Sequence, residues 1–107
     1  MRARVAAPKP VSMKGIRYQI VPGGKGRGLG QNGGIVAAVS EQTGEELWVQ
    51  KVYEIVYDDD LEADKQDVAI TDLKVSRWRN RLTVKNERGE RYELDLATRE
   101  VTRIQPG

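Results

Sequence analysis

Three stretches of this 107-residue chain carry side chains whose types and spacing could do chemistry. Ser76 to Arg81 reads S-R-W-R-N-R and sets Arg77, Arg79 and Arg81 around Trp78. Cations that hold phosphates, interleaved with a ring that stacks on a base, are what single-stranded nucleic acid requires. The same residues also suit a surface turn, with the indole folded onto the core and the arginines stacked on it or paired with acids. The second stretch, 23–34, reads G-G-K-G-R-G-L-G-Q-N-G-G and holds Lys25 and Arg27. Its backbone amides and two cations are candidates to grip a phosphate. The plainer alternative is a flexible connection between strands, because glycine loses the most backbone entropy on ordering. In the third stretch, 58–67, Asp58, Asp60, Glu62 and Asp64 alternate in the manner of cation ligands. The calcium-loop pattern fails there: Ala63 stands where the sharp turn needs Gly, and Ala69 where the last ligand needs Glu. A solvated acidic turn is the expectation, so no metal is assigned.

Other chemistries are excluded by residue type. Gly28, Gly30 and Gly33 spell G-x-G-x-x-G, but a strand pattern follows, whereas the dinucleotide fingerprint needs a helix whose N-terminus faces the pyrophosphate. Lys25 is followed by Gly26 rather than Ser or Thr, so no Walker A loop is present. The chain has neither His nor Cys. Ser-His-Asp and Cys-His catalysis, disulfides and thiolate metal sites are therefore absent. Carboxylates, Lys and Tyr remain, but the acids concentrate in one loop instead of converging from separate elements. No enzyme activity and no cofactor are expected.

Net charge is +2, which hides a segregation along the chain. Residues 1–34 contain seven basic side chains and no acid; residues 35–68 contain ten acids against Lys51 and Lys65. No stretch is long and apolar enough for a membrane span, and a signal-peptide core is not seen at the start. A soluble, cytoplasmic protein is expected.

The elements that must position these residues are strands. Residues 1–14 contain two prolines and no sustained period, and are read as a flexible basic arm. Gly15 to Val21 alternates as a half-buried strand until Pro22. Residues 35–57 read as a hairpin turning at Gln42-Thr43-Gly44, with Glu41 opposite Glu45, Val39 opposite Leu47 and Ala37 opposite Val49. A bend near Gln50-Lys51 explains why the apolar positions change face. Val68 to Val75 is a strand whose phase slips around Asp72. A second hairpin spans 81–96, with Glu87-Arg88-Gly89 as its loop, Val84 opposite Tyr92 and Leu82 opposite Leu94. Its spacing matches that of the first hairpin from Val39 to Val49. Glu100 to Ile104 forms a short last strand. Together these predict an all-β chain: a small single-domain antiparallel barrel or sandwich of about six to seven strands built from hairpins, spanning 15–107 with the glycine-rich loop at 23–34.

The segment Ala38 to Trp48, A-V-S-E-Q-T-G-E-E-L-W, resembles the blade signature of quinoprotein-type β-propellers, A-L-D-x-x-T-G-x-x-L-W, with Ser40 in place of Asp. Tyr92 to Val101 looks like a second copy, with Arg99 in place of Gly. The resemblance covers about a fifth of the chain and implies hairpin geometry alone. A propeller closes with roughly four or more blades, and the strands expected here make fewer than two.

The functional expectation is a non-enzymatic protein-interaction module, with self-association through a strand edge as one form of it. The alternative is nucleic-acid or polyanion binding through the basic arm, the glycine-rich loop and the cluster Arg77, Trp78, Arg79 and Arg81. A membrane and a small-molecule cofactor are not expected as partners.

Overall fold

A computed structural model of the chain describes residues 7–56 and 67–104. Eight strands form two four-stranded antiparallel meanders. The first sheet contains β1 (Val11–Met13), β2 (Ile16–Ile20), β3 (Ile35–Ser40) and β4 (Glu46–Lys51). The second contains β5 (Ile70–Ser76), β6 (Arg81–Asn86), β7 (Arg91–Asp95) and β8 (Val101–Ile104). The all-β, hairpin-built class stands. Of the expected barrel or sandwich of about six to seven strands, the barrel and the strand count do not stand, because eight described strands form two open sheets packed on each other.

The added strand is β1, which begins inside the stretch read as an arm. It pairs with β2 across Lys14-Gly15, both at positive φ (53° and 79°), the signature of the tight turn that matches strand twist. Three residues are too few to show a period, so the sequence pattern gave no sign of it.

β3 explains its own composition. Val36 and Ala38 face the second sheet, while Ile35 and Ala37 pack with Val21, Leu29 and Val49 on the other side. A strand covered on both faces reads as a continuous apolar run, and Ile35 to Val39 is buried throughout. From the second sheet, Leu73, Leu82, Val84, Tyr92 and Leu94 complete the main core.

The second hairpin keeps its expected register, Val84 to Tyr92 and Leu82 to Leu94. In β5 the register shifts between Ile70 and Asp72, where the phase slip was read. The first hairpin differs. Ala37 does lie opposite Val49, but a bulge after Ala38 pairs Val39 with Glu46, so the irregularity falls near Leu47 rather than at Gln50-Lys51.

The cause is a longer loop. Ser40 N–H donates to Glu45 O, and Gly44 N–H donates back to Ser40 O. In the second hairpin Gly89 N–H instead reaches Asn86 O, one residue closer. The structural counterpart of the Ser40 loop is therefore the β7–β8 loop. There Asp95 N–H donates to Glu100 O and Arg99 N–H to Asp95 O. Thr43 and Thr98 hydroxyls accept from Glu45 and Glu100 N–H respectively. Gly44 and Arg99 both occupy the left-handed region, at φ 78° and 65°. Gly15 O accepts from Glu41 N–H just as Asn80 O accepts from Leu96 N–H. The two meanders thus repeat one design, including both segments that carry the blade-like signature.

Once Ser40 is matched to Asp95 and Ile16 to Arg81 through their cross-strand pairs, Arg17 corresponds to Leu82 and Gln19 to Val84. The core takes Ile16, Tyr18 and Ile20 from one sheet but Leu82 and Val84 from the other. Opposite faces of the repeat meet: the sheets stack front to back.

Two outcomes are expected. A Cβ at Gly44 or Gly89 meets nothing within 4 Å, so the penalty for Gly44→Val or Gly89→Val is pure backbone strain of about 1–2 kcal/mol; urea midpoints should fall in both. The Asp95 carboxyl accepts N–H groups from Thr98 and Ala97. These bonds, Thr98's first, with the Arg81 guanidinium nearby, hold it below its usual value. A lowered native pKa adds stability that is present above the unfolded value and is lost as pH falls through the native one. Asp95→Asn should therefore be less stable at neutral pH and show a flatter loss below about pH 4, measured by thermal unfolding across acid pH.

Candidate functional site

The β5–β6 turn presents the sharpest exposed feature of the molecule. Ser76 pairs with Arg81 across the turn, Ser76 Oγ accepts from Arg79 N–H at 3.3 Å, and Asn80 takes a positive φ of 53°. Asn80 O ties the turn to the β7–β8 loop through Leu96 N–H at 3.1 Å. On this anchored tip Trp78 is 99% exposed. With its whole ring in solvent the indole does not fold onto the core, and that alternative is overturned.

The two tryptophans separate sharply. Trp48, in β4, packs against the core, its ring 6.1 Å from that of Tyr18, and the Arg99 guanidinium lies 5.8 Å from its ring centre. Cation and ring there bridge the sheets on the β4 side.

The arginines around Trp78 are largely matched by acids. Arg79 and Arg81 both reach the Glu93 carboxylate, at 3.0 and 3.2 Å, and Arg81 also lies 3.9 Å from Asp95. Such surface pairs stabilise little, about 0–1 kcal/mol each, but they cancel the charge a phosphate would seek. Arg77 has no carboxylate partner among the described residues.

The glycine-rich loop lies elsewhere. A short 3-10 helix, Gly24–Arg27, opens it, and Leu29 packs onto the outer face of the first sheet. Arg27 is paired with Glu46 at 2.6 Å. The N–H groups of Lys25, Gly26, Gly28 and Leu29 all donate within the loop, to Asn32 Oδ1, Gly23 O, Lys25 O and Gly24 O. Lys25 and Arg27 thus sit on the outer side of the first sheet, while Arg79 and Arg81 pair with acids on the outer side of the second. The structure does not bring the two basic clusters together.

The organiser of that loop is Gln31, a residue that sequence reasoning passed over. It is 1% exposed. Its Nε2 donates to Gly33 O at 2.7 Å and Tyr53 O at 2.8 Å, and its Oε1 accepts from Ile55 N–H at 3.0 Å. Gly34 completes the fit, with φ 74° and the Tyr53 ring within about 3 Å of where a Cβ would stand. A lone Gln among glycines has no periodicity to mark it as buried. The only available signal was the adjoining Gly33-Gly34 pair, which lets the backbone pass under Tyr53.

The acids Asp58, Asp60, Glu62 and Asp64, and the start of the basic arm, lie outside the described residues. Among the described residues no group of three His, Cys, Asp or Glu side chains is placed to hold a metal, and no helix is long and apolar enough to cross a membrane. Comparison with protein-family models gives no match, and comparison with curated proteins gives none either.

Gln31→Ala should strand one buried N–H and two carbonyls, a loss of about 2–4 kcal/mol. Urea denaturation measures it, and amide exchange at Ile55 should accelerate as well. An unchanged midpoint would mean that Gln31 does not hold the loop.

Proposed function

We propose that the protein is a non-enzymatic interaction module that docks on a partner protein through the hairpin tip at Trp78. The carrying observation is an indole that is 99% exposed on a turn fixed by backbone and side-chain bonds. Trp and Arg are the residue types that most often dominate binding energy at protein interfaces. A ring presented rigidly loses little entropy when it is buried. Because Glu93 and Asp95 neutralise Arg79 and Arg81, the tip offers an apolar plate with Arg77 as its spare cation. This suits a partner's apolar pocket better than a row of phosphates, which rewards several unmatched cations. A cytoplasmic setting belongs to the same proposal and rests on composition.

A photo-crosslinking residue in place of Arg77 identifies the partner, and the purified pair is then measured. Trp78→Ala should weaken binding by at least about 30-fold, the loss of a hot spot of about 2 kcal/mol or more. Leu47→Ala, removing an exposed large apolar side chain on β4, should leave affinity within about twofold. A partner that binds wild type and Trp78→Ala equally refutes the assignment. Salt-dependent quenching of Trp78 by a short single-stranded oligonucleotide would transfer the tip to the nucleic-acid class instead.

A further inference from the structure

A second feature has no part in that surface: a cleft of about 510 Å³ between the segment after β4 and the inner face of the second sheet. Tyr53, Ile55, Val56 and Val68 line one side, and Arg88, Glu90, Tyr92 and Arg103 the other. Its size falls within the range of small-molecule sites, roughly 300–1,000 Å³.

The walls are fixed before any ligand arrives. The Tyr53 and Tyr92 rings stack at 5.2 Å and 24°, and the Tyr53 hydroxyl donates to Val68 O. Glu90 is fully engaged: Oε1 accepts from Asn86 Nδ2 at 3.0 Å, and Oε2 pairs with Arg103 at 2.9 Å. Asn86, itself buried, is held in turn by Arg88 and Glu90 N–H groups bonding its Oδ1. What remains uncommitted is cationic. The Arg88 guanidinium has no carboxylate partner among the described residues, and the Tyr92 hydroxyl is held in its neutral, proton-bearing form by burial first and the Glu90 carboxylate second, against the weaker opposing pull of Arg103 and Arg88.

We propose that this cleft binds a small organic monocarboxylic acid, its carboxylate held by Arg88 with the Tyr92 hydroxyl and its apolar body against Ile55, Val56 and Val68. A guanidinium grips a carboxylate with two parallel N–H bonds, which a single unmatched arginine is enough to supply. Glu54 on the rim and Glu90 on the wall disfavour a second negative charge, so nucleotides and polyphosphates are selected against.

Amide and side-chain NMR spectra of the full chain, titrated with benzoate and with hexanoate up to about 10 mM, test this; millimolar binding is about 4 kcal/mol. Saturable shifts should be confined to Tyr53, Ile55, Val68, Arg88, Tyr92 and Arg103. Arg88→Gln, an exposed turn residue, should keep the spectrum of the folded protein while raising Kd at least tenfold. Tyr92→Phe should raise it several-fold. Absence of shifts with both acids, shifts that survive Arg88→Gln, or equal binding of inorganic phosphate would each overturn the assignment. Because none of these readouts involves Trp78, failure here leaves the hairpin-tip assignment separately testable.

Discussion

Burial of β3 on both faces is the constraint on which the molecule rests. One side of Ile35 to Val39 needs the second sheet; the other needs a cover, and the glycine-rich loop provides it. That requirement explains why a loop with so little intrinsic preference for order holds one conformation. Leu29 supplies apolar contact, and Gln31 satisfies the backbone of the crossing segment, so that no side-chain polar atom is left buried and unpaired among the described residues. Burial without these bonds would cost more than the apolar contact returns.

Front-to-back stacking has a second consequence. A repeat that stacks this way can in principle continue, because each added sheet exposes the same face as the last. Here both ends are closed. The first sheet's outer face lies under the glycine-rich loop. The second sheet's outer face is polar, with Arg81, Thr83, Lys85, Arg91, Glu93 and Asp95 along its central strands. The blade-like hairpins therefore form two four-stranded sheets, more than the sequence pattern suggested, without offering an apolar face to a third. Outside the stacked faces lie the exposed Trp78 and the cleft lined by Tyr53, Arg88 and Tyr92, the two features on which the proposals above rest.

Charge follows the same logic. Along the chain, basic and acidic stretches are separated strongly enough to suggest a polyanion partner. In three dimensions Arg27 meets Glu46, Arg79 and Arg81 meet Glu93, and Arg103 meets Glu90. Of these pairs Arg27–Glu46 joins the basic stretch to the acidic one, and the rest form within the last third of the chain. Arg77 and Arg88, neither with a carboxylate partner among the described residues, sit on two separate turns.

The sequence by itself determined the strand class, the hairpin registers at 81–96 and the slip at Asp72, because period-two alternation and turn chemistry act over a few residues. It also determined that His and Cys chemistry is absent. Only the tertiary structure decided the rest. The three residues of β1 are too short for a pattern, and the extra loop residue that moves the bulge to Leu47 depends on Gly15 O being in reach of Glu41. Whether Trp78 or Trp48 would be buried depended on which strand position faced a second layer. Arginine–carboxylate pairing across strands, and the burial of Gln31, follow from distances between segments far apart in the chain, which no local pattern encodes.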